Sequence, residues 1–539
     1  MAKTYQYPCG CSFPVDTTDH TTSVNFDPTI ENMLLDCPRT WDLISDGNTK
    51  GCFQLESRLG RSMAKKLKPT NIEQLSALIA ILRPGCLEAM RDGKSVSSHY
   101  IDKKNGAESV DYFHPALEPI LKTTYGEMIY QEQAMEIAKV IAGFNLQEAD
   151  MLRKAIGKKK PEEMAKVKEK FLIGAKTTNI VTNDEADQIF GWIEKSQRYS
   201  FNKSHSVSYA INAYLSAYTK AHFPKIFFAS YLRFAKDKID PQAEIKELTQ
   251  NALEMDIDVS IPDLRNMNQY FILKDHKIYF GLTDIKGVGD SVFKKLLSLQ
   301  ENKIDIHSTQ WLYILCNILL NINSTAAKAL IQSGALSYTK KSRNSMLFEY
   351  DIISELTKKE LEYISININK YSCIEQGLKD LVTNAKVNKN RKAIITTLLS
   401  TAAYPPRSLE DSAEWISDSE YTTLGCAITC SKIDMYDISM TNATCKDFKN
   451  GGIKDNIIIA GEVDYINVTK TKNGKNKGAE MAFMTLVDST GSLDSVVFFP
   501  EQYREFRNVL FQGNVLIVKG SRSRSGDAFV IEKCYIPRA

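Results

Sequence analysis

The chain has 539 residues, 43% of them apolar and 25% charged, with a net charge of +3. At ~150 residues per domain that length predicts three or four domains with ordinary buried cores. The near-neutral balance does not by itself point to nucleic acid, no apolar run reaches the ~18 residues of a membrane helix, and the first residues lack the apolar stretch of a secretory signal.

Residues 1–50 read as an irregular leader, rich in Thr, Asp, Pro and Asn to about residue 45. The 11 cysteines are odd in number and scattered, as expected of free thiols in the cytoplasm. Cys9 and Cys11 form one close pair, with Cys37 and His20 as weaker zinc candidates. One pair plus two scattered residues falls short of a four-ligand spacing, so free thiols are the preferred reading and no metal site is assigned.

From Asn71 to about Arg233 the texture is helical. Asn71 caps a helix with Gln74 as its capping-box partner, Ile72, Leu75, Leu78, Ile79 and Leu82 follow at helical spacing, and Arg83-Pro84-Gly85 stops it. A second helix is predicted from about Glu127 to Gly143, a third from about Gln147 to Gly157, and another over Val207–His222, stopped before Pro224. Phe271–Phe280 reads as two short strands around a polar turn. A glycine hairpin between helices follows, and residues 300–400 are mostly helical. Pro405-Pro406 marks a linker region over 403–455. From residue 456 onward, short alternating apolar and polar runs separated by turn residues predict a small all-β barrel. The fold class is therefore α+β and multidomain, mostly α-helical with a C-terminal β-barrel.

Four clusters carry chemistry. Glu148–Pro161 places Arg153 and Lys154 on a helix, followed by Gly157 and Lys158-Lys-Lys160. Cations there complement the dipole of a helix end; equally, Arg forks and Lys point charges converge on a triphosphate. Ser200–Tyr209 gathers Asn202, Lys203 and His205 at a helix start, where serines serve as caps and a donor-rich N-terminus also suits an anion. Lys286-Gly287-Val-Gly289 resembles a helix-hairpin-helix turn whose backbone N–H groups meet DNA phosphates. It lacks the third glycine of a dinucleotide fingerprint. Lys470, Lys472 and Lys475 lie in a basic loop between two barrel strands, and small barrels bind single strands through a basic groove and exposed aromatics.

Seven strings in order resemble the bacterial DNA polymerase III alpha family: Gly51-Cys-Phe-Gln-Leu-Glu-Ser57, Arg83-Pro-Gly85, Tyr125–Gln133, Ala149–Lys160, Phe201–His205, Lys220–Pro224 and Ile285–Gly289. The match is strong over about Asp42–Lys295, and the barrel fits as well. The resemblance implies a fingers domain over 51–265, a helix-hairpin-helix duplex-binding domain over 266–402 and an OB-fold over 456–539, with 1–50 as the junction to a palm domain. It implies that Arg153, Lys154 and Lys158 face the triphosphate, that Asn202, Lys203 and His205 line the nucleotide pocket, and that Lys286, Gly287, Gly289, Lys470, Lys472 and Lys475 contact DNA. It further implies dNTP substrates, Mg2+, a primed DNA template, and a sliding clamp as a further partner.

The departures are as informative. The family holds its two metal ions with palm carboxylates that include an Asp-x-Asp pair. No such pair in a strand context precedes residue 51, where Asp16, Asp19, Asp27 and Asp36 sit in irregular sequence. Asp256-Ile-Asp258 has the spacing but lies downstream. The family's N-terminal PHP domain has no counterpart, and no Gln-x-x-Leu-Phe clamp motif stands between residues 340 and 410. The expectation is a split polymerase whose palm and PHP lie on a separate chain, in the cytoplasm of a bacterial or phage-infected cell. The alternatives are a non-catalytic DNA-binding accessory protein and a truncated product without function.

Overall fold

A computed structural model describes residues 3–6, 9–15, 34–158, 161–196, 199–451, 455–471, 476–523 and 528–538. The chain divides into two compact units, Met1–Phe227 and Phe228–Ala539. The fold is α+β, largely helical, with a closed barrel at its C-terminal end, as the sequence predicts. Among the described residues no helix is long and apolar enough to cross a membrane.

The first unit opens differently from the irregular leader expected. Strands β1 (Lys3–Gln6) and β2 (Ser12–Val15) form an antiparallel hairpin, and a helix spans Pro38–Ser45 with Thr40, Trp41, Leu43 and Ile44 buried. The Thr/Asp/Pro-rich composition hid both: the strands are short, and the helix begins on a proline at its first position, which suits the missing N–H there.

Asn71 caps the Ile72–Ile81 helix by accepting from the Gln74 N–H at 2.9 Å. The Gln74 side chain reaches past the expected Asn71 partner and accepts from Thr70 N–H, also at 2.9 Å. Pro84 then opens a short helix, Pro84–Glu88, rather than only ending its predecessor. The helix expected from Glu127 begins at Gln131 and ends at Ala142 with Gly143 left-handed at φ 66°. Residues 127–130 are held extended instead: Tyr130 pairs with Phe201 in a parallel bridge. The Leu146–Lys158 helix runs through Gly157, which was expected to end it. The Lys203–His222 helix starts four residues before the predicted Val207, because Asn202 caps it with an acceptor bond from His205 N–H at 2.9 Å. Helices Gln131–Ala142, Leu146–Lys158, Pro161–Thr178 and Asn183–Ser196 share a core of Ile137, Ile141, Leu152, Phe171, Ile189 and Phe190. Gly174 allows one close approach, since a Cβ there would stand 2.1 Å from the Ala142 carbonyl oxygen.

Strands β3 (Met90–Arg91) and β4 (Lys94–Ser95) pair in the first unit, and the small sheet of the second unit is β5 (Val259–Ser260), β6 (Ile272–Lys274) and β7 (Lys277–Tyr279), ordered β5-β7-β6. Asp275 and His276 make the β6–β7 turn at φ 50° and 65°. The region 403–455, expected as a linker, carries helices Ala413–Leu424 and Cys445–Asn450 and a fully buried Glu420. That carboxylate accepts from Arg343 Nη2 at 2.8 Å and from the N–H groups of Ile428 and Thr429 at 2.6 and 2.8 Å. The barrel strands β8 (Ile457–Lys470), β9 (Glu480–Asp488), β10 (Gly491–Phe498), β11 (Val515–Arg522) and β12 (Phe529–Tyr535) close in the order β10-β12-β11-β8-β9, consistent with an OB-like fold. Ile459, Val463, Met484, Leu486, Phe498, Val518 and Phe529 fill it.

Candidate nucleotide and nucleic-acid interface

Strings that lie 70 residues apart in sequence are brought together at the start of the Lys203–His222 helix. Gln131 N–H donates to the Phe201 carbonyl and Phe201 N–H to the Ile129 carbonyl, both at 2.9 Å. Glu132 clamps the junction: its carboxylate accepts from Asn202 Nδ2 and from Lys203 N–H, each at 2.9 Å. Gln133 accepts from the N–H groups of Ile129 and Tyr130 at 2.9 Å. Below, Ser206 Oγ donates to the Ser76 carbonyl at 2.6 Å, and Ser76 Oγ meets Tyr130 OH at 3.0 Å, both buried. The polar residues of these strings therefore lock the backbone of the site, and buried polar groups that are satisfied in this way rigidify it.

This assigns different work to the three predicted residues. Asn202 commits its amide to the helix cap and Glu132, so it positions the segment. Lys203 pairs with Glu73 Oε1 at 2.8 Å and lies over the Tyr130 ring at 5.4 Å, with its side chain 37% exposed. His205 is exposed and stacks, with its ring 5.4 Å from Phe201 and 4.0 Å from Tyr209. The stack continues in both directions: Arg83 sits 3.7 Å over Phe201, and Phe53 is 5.1 Å from Tyr209. Sequence reasoning missed this cation–aromatic row; His205 and Tyr209 stand four residues apart on the Lys203–His222 helix, the spacing that aligns side chains along one face, whereas Phe201 joins them from the extended segment before it. Nothing in the sequence singled out Glu132.

The phosphate-clamp candidates are on the Leu146–Lys158 helix. Leu152 and Ala155 face the core, which turns Arg153 and Lys154 outward. Both grip Asp150 one turn earlier, Arg153 Nη2 at 2.7 Å and Lys154 Nζ at 2.7 Å. Those two cations hold the Asp150 carboxyl below the usual carboxylate range. The side chain of Lys158 lies outside the described residues, as do Lys159 and Lys160.

In the second unit Ile285 and Val288 are buried and anchor the hairpin, leaving Lys286, Gly287 and Gly289 exposed. Lys286 N–H donates to the Thr423 carbonyl at 2.8 Å. Gly287 needs its glycine, at φ +99° with Thr325 Cγ2 3.4 Å from where a Cβ would stand. Gly289 is different: it precedes the Asp290–Glu301 helix at φ −96°, and a Cβ there would meet nothing within 4 Å. Its backbone is open to solvent, as a phosphate contact requires. On the barrel, Lys470 is exposed at the end of β8, while Lys472 and Lys475 lie outside the described residues. Tyr465 and Phe483 are 46% and 39% exposed on the neighbouring strands β8 and β9.

A two-metal centre does not fit the spaced acidic pair. Asp256 and Asp258 flank the buried Ile257, and Asp256 is held by Lys446 Nζ at 2.6 Å. Asp16, Asp19 and Asp27 lie outside the described residues.

Along the chain, a helical domain holding the interlocked strings is followed by a hairpin module and an OB-like barrel. Residues 15–179 match the bacterial DNA polymerase III alpha subunit finger domain, and residues 256–346 match a helix-hairpin-helix motif. The DNA polymerase III subunit alpha of Aquifex aeolicus is 32% identical over 527 residues, covering 96% of this chain and 40% of that protein. Its namesake in Pseudomonas aeruginosa is 32% identical over 515 residues, 92% of this chain and 41% of its own length. That of Borreliella burgdorferi is 29% identical over 526 residues, 95% and 42%. This chain is homologous to the downstream portion of DNA polymerase III alpha subunits and carries that family's finger and helix-hairpin-helix domains. It spans about two fifths of the length of these relatives.

Proposed function

We propose that the chain serves DNA replication as the nucleotide- and DNA-gripping part of a DNA polymerase III alpha-type enzyme, with the metal-binding palm carboxylates supplied by a separate chain. The observation that carries this reading is the interlock of Tyr130–Gln133, inside the span that matches the finger domain, with Phe201–His205 beyond it, which gathers Lys203, Arg83 and a partly exposed aromatic row on one surface. In this reading Lys203, Arg153, Lys154 and Lys158 neutralise the phosphates of a dNTP, and His205 stacks. Glu132 and Asn202 hold the segment in place. The exposed hairpin backbone at Gly287 and Gly289, with Lys286, holds the duplex through phosphates, and the barrel, through Lys470, Lys472, Lys475, Tyr465 and Phe483, takes single-stranded template.

The divalent ions, Mg2+ in such enzymes, would be held by the palm-bearing chain, and no step of their chemistry falls to the residues described here. A primed template and the palm chain are the required partners; a sliding clamp is a further partner. The test is co-purification with a palm- and PHP-bearing chain followed by primer extension. Extension by the pair, and none by either chain alone, supports the proposal. Salt-sensitive DNA binding without extension by the pair would instead identify a non-catalytic accessory protein.

A further inference from the structure

The Cys9-Gly10-Cys11 string sits in the connection between β1 and β2, whose register runs Lys3↔Val15 to Gln6↔Ser12. The two strands therefore return the chain sharply on itself, and Gly10, at φ +88° with open space around it, makes the turn. Cys37 occupies the N-cap of the Pro38–Ser45 helix. His222 is the last residue of the Lys203–His222 helix. Three segments that are distant in sequence thus meet at one point, and the ligand atoms of Cys9, Cys11, Cys37 and His222 all lie within 4.8 Å of one another.

We propose that these four residues form a structural zinc site of the Cys3His type. Zinc takes thiolate at about 2.3 Å and imidazole at about 2.0–2.1 Å in a tetrahedron, which sets sulfur–nitrogen edges near 3.6 Å and sulfur–sulfur edges near 3.8 Å. Cys37 Sγ stands 3.4 Å from His222 Nε2, already close to such an edge. The other ligand atoms lie within 4.8 Å of one another, so binding needs a contraction of at most about 1 Å. Cys11, Cys37 and His222 are 1%, 1% and 3% exposed, and Cys9 is half-buried. Four protein ligands leave no open position, so the site is structural rather than catalytic.

The surroundings hold the ligands in place. Cys37 N–H donates to Tyr214 OH at 3.2 Å, and that hydroxyl donates to the Leu34 carbonyl at 2.6 Å. The Tyr218 ring lies 4.4 Å from the His222 ring and fixes its plane. The sequence concealed the site because its fourth ligand lies 185 residues beyond Cys37; His20, the nearer candidate, lies outside the described residues. The consequence is mechanical. A zinc ion there would pin the N-terminal hairpin and the Pro38–Ser45 helix to the far end of the Lys203–His222 helix. The inference does not depend on the DNA role proposed above.

The experiment is elemental analysis of the untagged full-length chain, purified from zinc-containing medium and passed through gel filtration. One zinc per chain is expected, with a substoichiometric content in Cys9→Ser, Cys11→Ser, Cys37→Ser and His222→Ala. Adding cobalt chloride to the metal-free wild-type chain should produce a thiolate-to-cobalt charge-transfer band and the intense visible bands of a tetrahedral ion. The cobalt spectrum needs no variant, so it stands even where a substitution prevents folding. Wild-type chain that holds no zinc and gives no tetrahedral cobalt spectrum would overturn the proposal. So would a stoichiometric zinc that survives all four substitutions, because the ion would then lie elsewhere.

Discussion

Arg153→Ala separates a phosphate-binding role from a merely structural one. Arg153 is 40% exposed and, among the described residues, pairs with Asp150 a turn away on the same helix, which Lys154 also grips. The packing of this turn rests on Leu152 and Ala155, so truncation at 153 opens no cavity. Exposed pairs at this spacing contribute little to stability, and alanine is the better helix former, so the melting temperature should move by about 1 °C or less. Nucleotide use should respond far more. A charge-assisted hydrogen bond to phosphate contributes roughly 1.5–3 kcal/mol, about ten- to a hundredfold in kcat/KM for dNTP. Arg153→Lys should also be impaired, because a point charge does not replace a planar fork. Asp150→Asn should lower KM, since phosphate then no longer competes with a carboxylate for the two cations. The assay is steady-state extension by the reconstituted two-chain complex with varied nucleotide. Efficiency of Arg153→Ala within about twofold of wild type would refute the assignment.

Gly289→Leu should leave the melting temperature unchanged, since a Cβ there meets nothing within 4 Å, yet weaken binding to primed duplex at every sequence alike. Fluorescence anisotropy at several salt concentrations would show it, and unchanged affinity would count against the hairpin contact. Buried Asp284 has its carboxyl pushed up to about 7, chiefly by burial, against the bonds it accepts from backbone N–H groups and the charge of Lys236. The folded state therefore binds the proton more tightly than the unfolded chain. Stability should fall as pH rises from about 4 to 7 and level off above, and Asp284→Asn should remove that slope in urea melts. Glu420→Ala strands Arg343, whose side chain is 5% exposed against 0% for Glu420. Breaking a buried pair in this way should cost about 3–5 kcal/mol in denaturant unfolding, and a cost below about 1 kcal/mol would contradict the network described.

Local signals carried much of the fold. The Asn71 cap, Gly143 after Ala142 and the β6–β7 turn were legible because each rests on residues within a few positions. The barrel was legible from short apolar runs broken by turn residues, although β8 is apolar on both faces at its start: Ile457, Ile459 and Val463 fill the barrel, and Ile458 and Ala460 pack outside it with Ile433 and Ile517. What failed depended on distant partners. Residues 127–130 stay extended because Phe201 pairs with them, and the helix start at Lys203 depends on Asn202 being held by Glu132. The buried Arg343–Glu420 network gave no local trace in a stretch that reads as linker. For the candidate site, residue types picked out segments without revealing how their side chains are engaged. Asn202 reads as a ligand from composition, and only geometry shows its amide committed to the backbone and Glu132.

The most direct test of the central claim is Mg2+-dependent primer extension by this chain mixed with a palm- and PHP-bearing chain that is inactive alone. The account predicts extension only when both are present, with activity lost on Lys203→Ala in this chain and DNA binding retained. Extension by the highly purified chain by itself would contradict it, as would a mixture that co-purifies, binds primed DNA and incorporates no nucleotide.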